Sequence, residues 1–129
     1  MRRALWPDII ERDAEREMTA WLDRPDAATI VAERAPGALC GFAEVAERPY
    51  ADGCATSPVA YLEGWYVDPD WRRATVGAQL VRAVESWART RGYRELASDT
   101  PLDNLISQHA HERLGFVETE RLVLYRKTL

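Results

Sequence analysis

Residues 66–80 read YVDPDWRRATVGAQL, and this stretch decides the fold class. An apolar run typical of a strand ends at Asp68, two arginines follow at 72 and 73, and a turn of small residues leads into a pattern with helical spacing. The helical stripe comprises Val76, Leu80, Val81, Val84, Trp87 and Ala88. A strand that runs almost directly into an amphipathic helix is typical of an α/β domain, in which helices cover a sheet.

The turn before this helix has the chemistry of an anion site. The first N–H groups of a helix have no acceptor inside it, and the helix dipole is positive at that end. Small residues let an anion approach the main chain, and Arg72 and Arg73 add charged donors. A pyrophosphate would fit, although solvated arginines beside a packing glycine at Gly77 would give the same pattern. The sequence contains neither a P-loop nor a dinucleotide fingerprint, which argues against ATP and nicotinamide cofactors.

The remaining sequence supplies a helix on the N-terminal side and several strands. Gly64 lies inside the longest strand and predicts a bulge there. We expect a single domain over residues 1–129, of class α/β (α+β), with a mixed, mostly antiparallel sheet. The predicted elements are a helix at 9–22, strands at 27–34, 39–47 and 59–68, a loop at 48–58, a helix from 76 that stops at Gly92, a strand at 93–98, a helix capped by Asp103 or Asn104 that runs to 114, and a strand at 116–128.

Composition narrows the function classes. The 129 residues carry 17 Lys and Arg against 21 Asp and Glu, so the net charge is −4. This balance argues against a nucleic-acid partner and weakly favours a cationic small molecule. Cys40 and Cys54 do not form a disulfide framework, no apolar run is long enough to span a membrane, and no export signal is apparent. We therefore expect a reduced, cytoplasmic protein.

A metal site is not expected. His109 and His111 lie two residues apart on a predicted helix, which places them on opposite sides. The sequence also lacks the paired cysteine or His-Glu-x-x-His patterns that hold zinc.

Several segments together resemble a known family. Residues 72–77, RRATVG, are similar to the acetyl-CoA-binding signature of the GNAT acetyltransferase superfamily, R/Q-x-x-G-x-G/A, and Asn104 with HERLGF at 111–116 resembles its last helix. Three further segments resemble aminoglycoside 6′-N-acetyltransferases: LWPD at 5–8, DGCATSPVAYLEG at 52–64, and ASD at 97–99 leading to LDN at 102–104. The similarity extends from Leu5 to about residue 125.

The resemblance implies a fold, a reaction and an assembly. The fold is a GNAT-like sheet with helices on both faces. The reaction is transfer of acetyl from acetyl-CoA to the 6′-amine of an aminoglycoside, with no metal, in a homodimer whose contacts involve the 48–58 loop and the C-terminal strand. The sequence departs from the family pattern in three places. Thr75 replaces the first glycine, His111 replaces a tyrosine proposed as general acid, and the first strand of the sheet is missing.

The resemblance also implies cofactor contacts. Tyr66 would lie beside the thioester, and the Val67 N–H would donate to the thioester oxygen. Asn104 would contact the cofactor, although a helix-capping role explains it equally well. The predicted acetyl-CoA residues are Tyr66, Val67, Arg72, Arg73, Thr75, Val76, Gly77, Ala78 and Asn104.

The amine side needs groups that accept hydrogen bonds and protons. An amine is mostly protonated at pH 7 and attacks only when neutral, so a base is expected. Glu63 and Asp99 are the candidates, and His111 is the candidate acid; a strand carboxylate facing solvent, a turn-capping aspartate and a helix-surface histidine are the structural alternatives. The predicted substrate contacts are Trp6, Tyr50, Asp52, Glu63 and Asp99, with core packing as the alternative for Trp6.

Two other functions fit the same sequence. The acceptor could be a different amine, such as a polyamine, a small metabolite or a protein N-terminus. Alternatively, the domain could bind acyl-CoA without catalysis, since Thr75 and His111 depart from the family pattern.

Overall fold

The computed structural model describes residues 11–72 and 75–129, with the side chains of residues 11–15 and 17 excepted. The chain divides into two compact units, Met1–Asp99 and Thr100–Leu129. The first unit contains α1 (Glu11–Leu22), β1 (Ala27–Ala35), β2 (Ala38–Arg48), β3 (Val59–Val67), a 3₁₀ turn (Pro69–Trp71), α2 (Val76–Thr90) and β4 (Leu96–Ser98). The second contains α3 (Leu105–Arg113).

The four described strands form one sheet in the order β1-β2-β3-β4. β1 pairs with β2 through a hairpin, and β2 with β3; both pairings are antiparallel. Only the pairing of β3 with β4 is parallel, as expected when a helix, here α2, connects the two strands. The prediction of a mixed, mostly antiparallel sheet is therefore confirmed.

The core lies between α2 and the sheet, because α2 packs on β1, β2 and β3. Five of the six residues of the predicted helical stripe form its buried face, since Val76, Leu80, Val81, Val84 and Ala88 are each at most 8% exposed. Trp87, the sixth, is only half-buried. Opposite them, the middle of β2 is buried almost continuously from Cys40 to Ala46. Burying one such aliphatic side chain stabilises a fold by about 1.5–3 kcal/mol, so this interface fixes α2 on the sheet.

The bulge predicted at Gly64 is present one residue earlier. Val45 pairs with Leu62 and Glu44 pairs with Gly64, so Glu63 is the extra residue of β3. A bulge changes the direction in which the extra side chain leaves its strand, which gives Glu63 an orientation that a regular strand would not.

The predicted C-terminal strand is wrong for the single chain. Residues 116–129 have no regular secondary structure, and the predicted strand at 93–98 shortens to Leu96–Ser98. A strand needs a partner for its backbone groups, and alternation in sequence does not supply one. The apolar side chains of the C-terminal segment are instead exposed, and they include Val117, Leu122, Val123, Leu124 and Tyr125.

Among the residues that the structure describes, no helix is both long and apolar enough to cross a lipid bilayer.

Thr75, the N-cap of α2, adopts a left-handed backbone with φ 60° and ψ 2°. Thr75→Gly is expected to raise the free energy of unfolding by about 0.5–1 kcal/mol, because glycine reaches this region without the Cβ clash of a branched residue. Urea denaturation monitored by circular dichroism measures the change. The matched control is Thr90→Gly at the last residue of α2, which should lower the free energy of unfolding by roughly 0.3 kcal/mol. Loss of stability in both variants would contradict the left-handed assignment.

Candidate active site

The site is built around the point where β3 and β4 separate. The two strands pair only from Ala60 to Leu62 on β3, while β3 continues to Val67. Along residues 63–67, the β3 edge on the β4 side therefore has no strand partner in the described sheet. Unpaired backbone groups at a strand edge can bind an extended ligand by adding it to the sheet.

The end of β3 is held by contacts from both sides. The Asp68 N–H donates to Cys40 O at 2.8 Å, which closes the ladder with β2. Arg72 returns to the strand, where its Nε donates to Val67 O at 2.9 Å and its guanidinium carbon lies 5.7 Å from the ring centroid of Tyr66. Tyr66, Val67 and Arg72, three of the predicted cofactor residues, thus lie together.

The first turn of α2 follows a few residues later. Gln79 N donates to Thr75 O at 3.0 Å, the first hydrogen bond of the helical ladder, so the amides of Val76, Gly77 and Ala78 have no acceptor within the helix. An added Cβ at Gly77 would lie 3.0 Å from Trp65 Cζ2. Close packing against Trp65 therefore also explains why a glycine stands at this position. The positive end of the helix and Arg72 remain the elements of an anion site, while Arg73 lies outside the described residues.

Glu63, the first predicted amine-binding carboxylate, is paired with an arginine. Arg48 Nε donates to Glu63 Oε1 at 2.8 Å and Arg48 Nη2 donates to Oε2 at 2.6 Å, which is the fork geometry of a strong charged pair. The side chains are 43% and 23% exposed, so the pair is only partly screened by solvent. The hydrogen bonds to Glu63 raise the pKa of Arg48 above its ordinary value.

Asp99, the second predicted carboxylate, accepts a hydrogen bond from a buried tyrosine. Tyr61 Oη donates to Asp99 Oδ1 at 2.7 Å. Burial, and then the hydrogen bond to Asp99, raise the pKa of Tyr61 well above its ordinary value, so the hydroxyl keeps its proton. The Arg48 guanidinium lies 3.5 Å from the centroid of the Tyr61 ring, so the structure brings the two predicted carboxylates into one network of contacts.

The loop at 48–58 carries two predicted substrate residues at its surface. Tyr50 is 71% exposed, and Asp52 is also exposed. Glu95 fixes this loop by accepting hydrogen bonds from Thr56 Oγ1 at 2.5 Å, Thr56 N at 2.6 Å and Ala55 N at 2.8 Å. The bond from the Thr56 hydroxyl, followed by that from the Thr56 N–H, lowers the pKa of the Glu95 carboxyl. Trp6, the remaining predicted wall of the substrate site, lies outside the described residues.

Asn104 and His111 belong to the second unit. Asn104 caps α3, since its Oδ1 accepts from Ser107 N at 3.1 Å. His111 Nδ1 lies 2.7 Å from Ser107 O, and because a carbonyl oxygen only accepts, Nδ1 carries a hydrogen. The ring of Phe116 packs edge-on against the histidine at 5.1 Å. Both residues therefore have structural partners, and their functional roles stay predictions.

A cavity of about 540 Å³ lies at the opposite end of β3, among residues such as Glu47, Ser57, Tyr93 and Arg94. None of the residues predicted for the site lines it. We place the candidate site at the separation of β3 and β4 because the open edge of β3 runs there from the carboxylate network towards the start of α2. Within the described residues, no cluster of three or more His, Cys, Asp or Glu side chains could hold a metal ion.

Sequence reasoning missed Arg48 and Tyr61. The sequence predicts Arg48 in the loop at 48–58, whereas it is the last residue of β2. It is a diagonal neighbour of Tyr61, which pairs with Ala46. The sequence gives a partial signal that Tyr61 belongs with Glu63, because the two are two residues apart in one strand. The contact with Arg48 depends on the register of β2 against β3, which the sequence does not show.

Comparisons with known proteins identify the family of this chain. Residues 1–116 match the family model described as acetyltransferase (GNAT) family. An aminoglycoside N(6′)-acetyltransferase type 1 from Serratia marcescens is 48% identical over 130 residues, which cover 100% of this chain and 89% of that protein. The enzyme of the same name from Klebsiella aerogenes is 46% identical over 133 residues, with coverage of 100% and 87%.

A solved structure gives the same result for the fold. The enzyme AAC(6′)-Iy, in complex with the bisubstrate analogue CoA-S-monomethyl-acetylneamine, superimposes with a TM-score of 0.93 at 41% identity, over 100% of this chain and 88% of that one. The family match and the identities over nearly full length, together with the sheet and helix described above, assign the chain to the GNAT acetyltransferase family.

Proposed function

We propose that this protein transfers the acetyl group of acetyl-CoA to the 6′-amine of aminoglycoside antibiotics and so confers resistance to them. The observation that carries the proposal is the Glu63–Asp99 network beside the open edge of β3, which leads to the N-terminus of α2. Support also comes from relatives named as aminoglycoside N(6′)-acetyltransferases and from the bisubstrate complex of AAC(6′)-Iy.

The residues at the end of β3 fit acetyl-CoA. The first-turn amides of α2, from Val76 to Ala78, and the guanidinium of Arg72 supply donors for a pyrophosphate. Thr75 directly precedes these amides, and Arg73 and Asn104 are the remaining predicted contacts. Acetyl-CoA supplies an activated acetyl group as a thioester. The Val67 N–H donates to the thioester oxygen as negative charge develops on it, and Tyr66 lies beside the thioester.

The carboxylates act on the amine. Glu63 and Asp99 accept hydrogen bonds from the substrate ammonium and take up its proton, directly or through water. The neutral amine then forms the new C–N bond while the C–S bond breaks. His111 returns a proton to the leaving sulfur when its ring is doubly protonated. Tyr50 and Asp52 contact the sugar, and Trp6 is the further predicted contact.

The proposal includes the domain organisation, the cellular compartment and the assembly of the protein. Residues 1–129 act as one N-acetyltransferase domain. Cys40 and Cys54 are free thiols, which suits the reducing cytoplasm, where acetyl-CoA is available.

The active form is a homodimer, because the exposed apolar side chains at 117–125 are covered when a second copy packs on them.

Release of CoA from acetyl-CoA tests the reaction. Purified protein should release CoA with kanamycin and tobramycin, because both carry a 6′-amine. The strongest comparison is a pair of aminoglycosides that differ only in an amine or a hydroxyl at the 6′ position, of which only the amine should support turnover. Turnover with another amine alone would contradict the aminoglycoside assignment, and acetyl-CoA binding without turnover with any amine would indicate a non-catalytic domain.

Neutral replacement of the carboxylates tests their role. Glu63→Gln and Asp99→Asn should each lower kcat/KM for the aminoglycoside on the order of 100-fold, because each removes an acceptor for the amine and its proton. Steady-state kinetics measures the loss. Glu33→Gln is the matched control, since Glu33 is an exposed carboxylate on β1, and it should retain activity. Equal kinetics for all three variants would show that Glu63 and Asp99 take no part.

The dimer is tested by its mass in solution. Sedimentation equilibrium should give twice the mass of the chain, and Leu124→Glu should shift the protein towards the monomer, because it places a charge in an apolar contact. Leu124 is 88% exposed in the single chain, so the substitution disturbs no internal packing. Thr119→Glu adds the same charge at an exposed polar position and serves as the control. A monomeric parent protein would overturn the dimer proposal.

A further inference from the structure

Arg48 and Tyr61 connect the two carboxylates that the proposed function assigns to the amine. On one side, Arg48 holds both oxygens of Glu63 at 2.8 and 2.6 Å. On the other, it lies over the ring of Tyr61, whose hydroxyl donates to Asp99 at 2.7 Å. The resulting order of contacts is Glu63, Arg48, Tyr61, Asp99.

Each link restricts the next. The paired hydrogen bonds fix both the position and the plane of the Glu63 carboxylate, which a single bond would not. The guanidinium lies 3.5 Å from the Tyr61 ring centroid, within the range of a cation–π contact. Tyr61 is only 9% exposed, so its ring is a rigid platform and its hydroxyl has a fixed direction.

The network leaves acceptors for a ligand. Arg48 uses one lone pair on each Glu63 oxygen, and each oxygen has a second. Asp99 is exposed and gives only Oδ1 to Tyr61. With one arginine against two carboxylates, the network carries one net negative charge, which matches one ammonium group.

The contacts that Arg48 already makes disfavour its displacement by a ligand. Displacement by an ammonium would break two charged hydrogen bonds and the contact with the Tyr61 ring. The arginine therefore stays in place when the second lone pairs of Glu63 accept the ligand.

We propose that Arg48 and Tyr61 are positioning residues that hold Glu63 and Asp99 as one acceptor pair for a single ammonium group of the aminoglycoside. This inference rests on the proposed function. It adds two residues that act through the carboxylates and make no contact with the reacting atoms.

Replacement of Arg48 tests whether this residue positions Glu63. Arg48→Gln should raise the KM for the aminoglycoside about tenfold and lower kcat, while the KM for acetyl-CoA stays unchanged. Arg48→Lys keeps the charge but cannot form the fork, so it should recover only part of the loss. Full recovery with lysine would overturn the positioning role, because charge alone would then suffice. A lower KM for the aminoglycoside in Arg48→Gln would also overturn it, by showing that Arg48 competes with the substrate.

Removal of the Tyr61 hydroxyl tests whether this residue positions Asp99. Tyr61→Phe keeps the ring under Arg48 and deletes only the hydrogen bond to Asp99, so it should raise the KM for the aminoglycoside several-fold and leave the KM for acetyl-CoA unchanged. The matched control is Tyr93→Phe, because Tyr93 Oη donates to Glu47 at 2.8 Å and thus forms a similar tyrosine–carboxylate pair outside the site. The control should keep both KM values. Equal effects of the two variants on the aminoglycoside KM would overturn the role of Tyr61.

The outcomes separate this inference from the proposed function. If the parent protein releases no CoA with any aminoglycoside, both are overturned. If the parent is active and Arg48→Gln and Tyr61→Phe have parental kinetics, only the positioning pair is overturned. Thermal denaturation and the KM for acetyl-CoA check that each variant is folded, and if Arg48→Gln does not fold, Arg48→Lys and Tyr61→Phe give the same decision.

Discussion

The separation of β3 from β4 is the constraint on which the site depends. Parallel pairing stops at Leu62 and Ser98, and the next residue of β3 is the bulged Glu63. From that point, one edge of β3 lacks a strand partner in the described sheet, and the strand leads to the turn before α2. The same strand therefore runs from the carboxylate network at Glu63 to the turn before α2.

Much of the fold was predictable because local chemistry and packing agree. The apolar stripe of α2 becomes the buried face, Gly92 and Gly115 end helices in left-handed conformations, and Gly64 marks the bulge. The C-terminal strand was not predictable in the same way. Alternation shows which side chains share a face, but a strand also needs a neighbour for its hydrogen bonds, and residues 116–129 have none within the described chain.

The site was predictable as a set of residue types and less so as a geometry. Glu63 and Asp99 lie in one network, as a shared role requires. The residues that connect them are distant in sequence from the carboxylates they hold. Arg48 is 15 residues from Glu63, and Tyr61 is 38 residues from Asp99. Such contacts follow from strand register. The backbone of Thr75 is another example, because the sequence shows a threonine in place of glycine but not that it adopts a positive φ.

An arginine within the proposed site for a cation has a physical purpose. Two carboxylates held close together repel each other and attract protons when no ligand is bound. A guanidinium paired with one of them offsets this repulsion and, unlike a solvent cation, fixes the direction of that carboxylate's remaining lone pairs. On the proposed function, the ligand then brings its ammonium to those lone pairs, where one of the two negative charges remains unneutralised. Selectivity in this arrangement comes from where the amine is placed on the substrate, and only secondarily from how much positive charge the substrate carries.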